Sequence, residues 1–239
     1  NKIPPAHYYV GKNGSDAYSC DQARSSVTPK LTINAGLACV DASPGGGAGQ
    51  IVEVGEGTYE EAIDSSSSPV PSGTSWLAPF TLRGRTGEVV TIKNNGELNL
   101  RIFSDSPLYS IVQGFVFDGS NTHFDTPQVT FGSCCNGGNY IRFQNNEIIN
   151  TVRGFATFVN RLSHNNEFLN NKIHGGGFNC NGSAGGGGDW CYPMYLQGSN
   201  NLIEGNELYD FPSWGFHVYS GYAEKPDNNI IRSNIIYDF

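Results

Sequence analysis

Short runs in which apolar and polar residues alternate, each followed at once by a turn-forming residue, recur along most of the chain. Laid under one another they read "VQGFVFD" from Val112, "FQNNEII" from Phe143, "FLNNKIH" from Phe168, "IEGNELY" from Ile203 and "IRSNIIY" from Ile231. The starting points are unevenly spaced, a wandering period inside the range of solenoid repeats. The runs are short, β-branched or aromatic, and bounded by Asn and Gly, which predicts strands rather than helices. A second strand follows in each repeat: "VTFGS" from Val129, "ATFVN" from Ala156, "MYLQG" from Met194 and "FHVYS" from Phe216. The steps from Asn146 to Thr157 and from Asn206 to His217 are equal, whereas that from Asn171 to Tyr195 is much longer, the excess being the loop "GGGFNCNGSAGGGGDW". Stacked coils with one loop thrown out are the simplest reading.

Stacking at the strand spacing of about 4.8 Å places like residues over one another. Phe143, Phe168, Ile203 and Ile231 form one predicted inner column, and Ile148, Ile173, Leu208 and Ile236 another. Asn146, Asn171, Asn206 and Asn234 line up where the chain bends; asparagine tolerates left-handed backbone angles and bonds to its own kind in the next coil. Glu147, Lys172 and Glu207 alternate in charge on an outer column, and Glu204 faces Arg232. Earlier strands are expected in "IVEVGEGTY" from Ile51, "FTLRG" from Phe80 and "VVTIK" from Val89. Before them, Ile33, Leu37 and Val40 share one helical face, with Thr28 as cap and Pro29 at the first helical position. Such a helix covers the first coil, as the ends of repeat proteins require. The expected fold is all-β, a right-handed parallel β-helix of about seven coils with a short N-terminal capping helix. It is read as a single domain over 1–239, with a cap region over 1–50 and coils over 51–239.

Composition narrows the function. A net charge of -8 without any basic run argues against nucleic acid and against anionic membrane as partners. No apolar run approaches the ~20 residues that cross a bilayer. Six cysteines without CxxC spacing argue against a zinc site and for disulfides, hence for a processed, secreted chain. Cys20–Cys39 and Cys180–Cys191 are the expected bridges, the second pinning the glycine-rich loop; the adjacent Cys134 and Cys135 either pair with each other or stay reduced. Asn13-Gly-Ser and Asn181-Gly-Ser are glycosylation sequons if the source glycosylates secreted chains.

The stretches "HYYVGKNGSD", "TPKLTINAGLACV", "IVEVGEGTYEEAI" and "SGTSWLAPFTLRG", with the Asn-rich coils, resemble secreted β-helix proteins of the pectate-lyase-like superfamily. The resemblance implies polysaccharide lyases, hydrolases or epimerases, or non-catalytic adhesins and fibres. Lyases of that superfamily hold calcium with several carboxylates and remove a proton with Arg or Lys; its hydrolases use close Asp residues. Here the outward columns of the second strand are read as Thr130, Thr157, Tyr195, His217 and as Gly132, Val159, Gln197, Tyr219. Neither holds a carboxylate, an Arg or a Lys, so no catalytic residue of the superfamily carries over, and no calcium cage is evident. No cofactor is expected.

What remains is an aromatic group. "GGDWCYPMYLQG" and "DFPSWGFHVYSGYAEKPD" bring Trp190, Tyr192, Tyr195, Trp214, His217, Tyr219 and Tyr222 into two adjacent coils, with Gln197 among them and Asp189, Glu224 and Lys225 in the flanking loops. Aromatic faces stack on the C–H surface of sugar rings, which predicts a polysaccharide partner. His217 and Tyr195 are the candidate acid–base couple. If the protein is an enzyme, it is a polysaccharide lyase or glycoside hydrolase; the alternative is a non-catalytic structural or adhesive protein. "NNLIEGNELYDF" from Asn200 returns from Asn228 as "NNIIRSNIIYDF" and brings the sequence to Phe239 without a cap. That leads to the expectation of further coils, a covering subunit, or end-to-end self-association.

Overall fold

Alternation of apolar and polar residues at a period of two puts every second side chain on one side of each strand, and the chain closes that side into a core. In the computed structural model, residues 7–68, 70–96, 98–122, 127–152, 154–177 and 191–239 are described. Three sheets result, and every strand pair within them is parallel. The first holds His7–Val10, Ile51–Val54, Phe80–Gly84, Ser110–Gln113, Ile141–Gln144, Glu167–Leu169, Leu202–Glu204 and Ile230–Arg232. The second runs from Gly57–Tyr59 through Glu147–Ile149 and Lys172–His174 to Ile235–Tyr237. The third runs from Ile63–Asp64 through Leu100–Ile102, Val129–Phe131, Thr157–Val159 and Met194–Leu196 to Phe216–Val218. From the second coil onward, the chain visits the sheets in turn, so each pairs strands three elements apart: a right-handed parallel β-helix.

The inner columns follow the expected register. Phe143 pairs with Phe168, Phe168 with Ile203 and Ile203 with Ile231; Ile148, Ile173, Leu208 and Ile236 pair in the same way. Inside, the rings of Phe131 and Phe168 stack with centroids 4.9 Å apart. In the last coil Ile231 and Ile236 are 40% and 45% exposed, although they continue columns that are buried below.

The corner between the first and second sheets is built by asparagine. The Oδ1 atoms of Asn171, Asn206 and Asn234 accept from the backbone N–H of Asn146, Asn171 and Asn206 at 3.0, 2.9 and 2.9 Å. Each Nδ2 donates to a carbonyl in the coil below, as from Asn171 to Phe143 at 2.9 Å. Bonds that a sharp turn would leave open are thereby closed. The left-handed residue is the one before the ladder position: Asn145, Asn170, Gly205 and Ser233 have positive φ. A second ladder, which the sequence pattern does not announce, runs through Asn166, Asn201 and Asn229 at the corner between the third and first sheets, again after left-handed residues, Asn165, Asn200 and Asn228.

The predicted charge columns are in register. Lys172 Nζ lies 3.7 Å from Glu207 and Arg232 Nη2 lies 2.9 Å from Glu204, while Glu147 takes His174 at 2.7 Å.

Two expectations need correction. The helix is Ile33–Asp41, capped by Thr32 rather than Thr28. Pro29 and Lys30 are extended instead: Lys30 N–H donates to Tyr9 and its carbonyl accepts from Gly11, so this segment lies alongside the first strand. The helix's free N–H groups at Ile33 and Asn34 are taken by the Glu61 carboxylate at 2.7 and 3.0 Å. Its buried face holds Ile33, Leu37 and Val40, as the periodicity requires. The second correction is register in the third sheet. Thr130 pairs with Phe158, not Thr157, and Phe158 with Tyr195. Thr157 and Val159 therefore point into the core, and Phe158 takes the outer place. Strands at His7–Val10, Ile63–Asp64 and Leu100–Ile102 are additions to those that the sequence pattern marks.

Cys20 and Cys39 form the expected disulfide, with Cα atoms 5.3 Å apart, tying the helix to the segment before it. Cys191 is buried and disulfide-bonded. Cys180, and with it the expected Cys180–Cys191 pairing, lies outside the described residues. Cys134 and Cys135 are free and exposed. Among the described residues, no helix is long and apolar enough to cross a membrane.

Candidate functional site

On the outer face of the third sheet, strands Met194–Leu196 and Phe216–Val218 lie side by side with Tyr195 paired to His217. Met194 and Leu196 are buried in the core, which leaves Tyr195 outward by alternation. The Tyr195 and His217 rings stack with centroids 4.6 Å apart at 8°, and Phe158 continues that column below at 5.5 Å. A second column lies just upstream in each of the same coils. Phe155, Tyr192 and Trp214 stack at 5.8 Å and 5.8 Å, with ring planes within 11° and 16°. Tyr192 meets His217 edge-on at 4.6 Å, closing the two columns into one aromatic surface. Phe155 and Phe158 belong to this surface, though the sequence reading does not single them out. The signal that finds them is a recurring spacing of three between aromatic positions (155/158, 192/195, 214/217).

Burial divides the surface. Tyr195 is nearly enclosed, whereas Trp214, Tyr219 and Tyr222 are 54%, 53% and 60% exposed. Gln197, also buried, donates from Nε2 to the Tyr195 hydroxyl at 3.0 Å. Tyr219 lies beyond His217, its ring 5.8 Å away and nearly parallel. The Arg161 guanidinium sits over the Tyr222 ring at 4.6 Å, and Arg161 Nε lies 3.5 Å from Glu224. Glu224 and Lys225 are exposed, and the Lys225 carbonyl accepts from Ser199 Oγ at 2.7 Å. Asp189 and Trp190 lie outside the described residues.

Electrostatics make this a neutral surface. Burial lowers the His217 pKa below its ordinary value, so the ring is uncharged near neutrality, and its buried Nδ1 has no hydrogen-bond partner. Burial likewise raises the Tyr195 and Tyr192 hydroxyls. The stacking has a chemical consequence for the expected His217–Tyr195 couple. The imidazole's lone pair and N–H lie in its own plane, parallel to the tyrosine ring, and so do not aim at the Tyr195 hydroxyl. Neither His217 nitrogen is therefore aimed at the hydroxyl of its column partner.

The same outer column extends further than the sequence pattern suggests. With the register above, it runs Asp64, Arg101, Thr130, Phe158, Tyr195, His217. It therefore does contain a carboxylate and an arginine, roughly 20–25 Å from His217 at the strand-to-strand step. Arg101 binds Asp64 through Nε and Nη2 at 2.9 and 2.6 Å, a two-pronged pair that satisfies both charges. The neighbouring outer column reads Gly132, Asn160, Gln197, Tyr219, since Asn160 rather than Val159 follows the corrected register. Among the described residues, no group of three or more His, Cys, Asp or Glu side chains is placed to hold a metal ion.

The fold and this surface together define a parallel β-helix with an aromatic outer face. No protein-family model matches the sequence, and no curated protein does. Among solved structures, the chain is similar to XylC, a protein described in complex with xylose: 12% identity, TM-score 0.59, covering 97% of this chain and 62% of that one. It also aligns with a rhamnogalacturonan lyase at 16% identity and a TM-score of 0.42, over 97% of this chain and 51% of that one, too loose a match to build on. The chain thus spans less than two thirds of either protein's length. At 12% identity the likeness to XylC is one of fold.

Proposed function

We propose that the protein is an extracellular polysaccharide-binding or polysaccharide-processing β-helix of the pectate-lyase-like kind, with the glycan lying along the outer face of the third sheet. The observation that carries this reading is the double column of aromatic rings ending in exposed Trp214, Tyr219 and Tyr222. Rings whose faces reach solvent at the end of a rigid stack are preordered for the apolar face of a sugar, and little side-chain entropy is lost on binding. The Cys20–Cys39 disulfide supports an oxidising compartment. The sugar-bound protein of similar fold, XylC, is in keeping with a sugar ligand.

The charge pattern favours a neutral glycan over a polyuronate. Arg101 is taken by Asp64 and Arg161 faces Glu224, on a chain of net charge -8. A polyanion would meet repulsion, and neither guanidinium is free to offset it. Binding is better supported than turnover, because His217 has no charged partner among the described residues of the surface. The structural or adhesive reading keeps one observation of its own: Tyr192 and Tyr195 pack against each other and against His217, so they are buttressed as well as presented.

Retention on a panel of immobilised neutral and acidic polysaccharides tests the proposal, with reducing ends and unsaturated products assayed alongside. Trp214→Ala should weaken retention about tenfold, or about 1.4 kcal/mol. Retention by no polymer would leave the rod reading in place.

A further inference from the structure

Cys134 and Cys135 have no part in the surface just described. Both are exposed, on a loop that lies one coil below Arg161. The loop is fixed at its ends: Gly132 N–H donates to Ile102 at 2.8 Å and Gly138 N–H to Ser163 Oγ at 2.9 Å. Between these anchors Ser133 N–H donates to the Asn136 carbonyl at 2.7 Å, and Asn136 N–H to Ser133 Oγ at 3.1 Å. The two cysteines therefore occupy the middle of a closed turn, their side chains outward. The neighbouring Cys134 thiol pushes the Cys135 thiol up. Arg161 is near enough to act in the opposite direction.

We propose that Cys134 and Cys135 form a reversible redox modification site, closing to a vicinal disulfide by exchange with a low-molecular-weight disulfide such as oxidised glutathione. One cysteine thiolate attacks a sulfur of the external disulfide, forming a mixed disulfide and releasing one thiol. The second cysteine then attacks the protein sulfur of that bond, and the other half leaves as a second thiol. Two cysteines are oxidised, one disulfide is reduced by two electrons, and the two cysteine protons end on the released thiols. The ring is strained by construction. Consecutive Cα atoms across a trans peptide are about 3.8 Å apart, short of the ~4.4–6.8 Å that disulfides usually span. Cys20–Cys39, at 5.3 Å and with Cys39 buried, falls inside that span. The vicinal bond is thus the labile one of the two, and the anchored ends confine its formation to the tip of the turn.

The test equilibrates the full chain with oxidised glutathione, then titrates with dithiothreitol, trapping free thiols by alkylation and mapping peptides by mass. Expected is a peptide carrying Cys134 and Cys135 that is short of two hydrogens and free of glutathione. It should reopen at a dithiothreitol concentration at least tenfold below that which opens Cys20–Cys39. Cys134→Ser should leave Cys135 carrying one glutathione, since the second step is then blocked. Alkylation of both thiols after oxidation, stable glutathione adducts on the unaltered chain, or chain-to-chain linkage through these cysteines would overturn the proposal. So would an unmodified Cys135 in Cys134→Ser.

Discussion

Two kinds of column run up this molecule, and they differ in what they leave open. At the asparagine corner each side chain spends its donors and acceptor on neighbouring coils: Asn171 Oδ1 accepts from Asn146 N–H, and its Nδ2 reaches Phe143 and Asn206. On the aromatic face the stack ends in exposed rings, and His217 Nδ1 is left without a partner. Repetition in the sequence is the same signal in both places. Only the closing of valences separates a structural ladder from a surface free to take a ligand.

The largest expected effect breaks the closed column. Asn171→Leu strands the buried Asn146 N–H and removes the amide that also donates to the Phe143 carbonyl, and should cost about 2 kcal/mol, within the roughly 1–3 kcal/mol of an unsatisfied group. A fall in the urea midpoint, read by circular dichroism, checks it. Trp214→Ala should do the reverse, leaving stability within about 0.5 kcal/mol because the ring is half exposed, while weakening glycan retention. A variant that lost stability and binding together would erase the contrast between the two columns. Smaller still, Asn170→Ala puts a Cβ-bearing residue without a polar side chain at φ 54° and should cost about 1 kcal/mol, with no change in retention.

The smallest effect is a pH dependence. The His217 pKa is lowered in the folded state by burial, so the unfolded chain binds this proton more readily. Its contribution to stability is therefore whole above the unfolded value of about 6.5 and declines as pH falls toward the folded pKa. His7 is lowered too, also by burial above all, so the informative quantity is a difference. Between about pH 7 and pH 5 the unaltered chain should lose more stability than His217→Asn does, by denaturant titration at each pH. Parallel losses would mean that His217 titrates as freely as in solution.

Much of this was legible because the corner repeats its own letters. Adjacent asparagines at 145/146, 170/171, 165/166, 200/201 and 228/229 mark left-handed residue and ladder residue in order, though the sequence alone led only to the first ladder, and the left-handed position was assigned one place late. The third sheet was harder. In "ATFVN" either Thr157 or Phe158 suits an outer strand position, and carrying the Asn206-to-His217 step over to Asn146 selects the threonine. The lower coil is one residue longer than that step allows, and the core decides, since Thr157 and Val159 are the buried pair. The helix start was misplaced because Thr28-Pro29 is a good local cap signal, overruled when Lys30 paired with the first strand. Arg101 and Asp64 were invisible as a pair, far apart in sequence, until register joined them.

The copied stretch at Asn200 and Asn228 shows how such a molecule lengthens. A coil bounded by asparagine corners presents to its next neighbour the same row of donors and acceptors that it received from the last. A tandem duplication of one repeat therefore enters with its contacts already specified, and the fold grows like a one-dimensional crystal by adding a lattice plane. The aromatic face is not inherited in this way. Its rings meet only where a coil carries aromatic residues three apart at the strand, as Tyr192 and Tyr195 meet Trp214 and His217, so each added coil renews the scaffold, while recognition must be built afresh upon it.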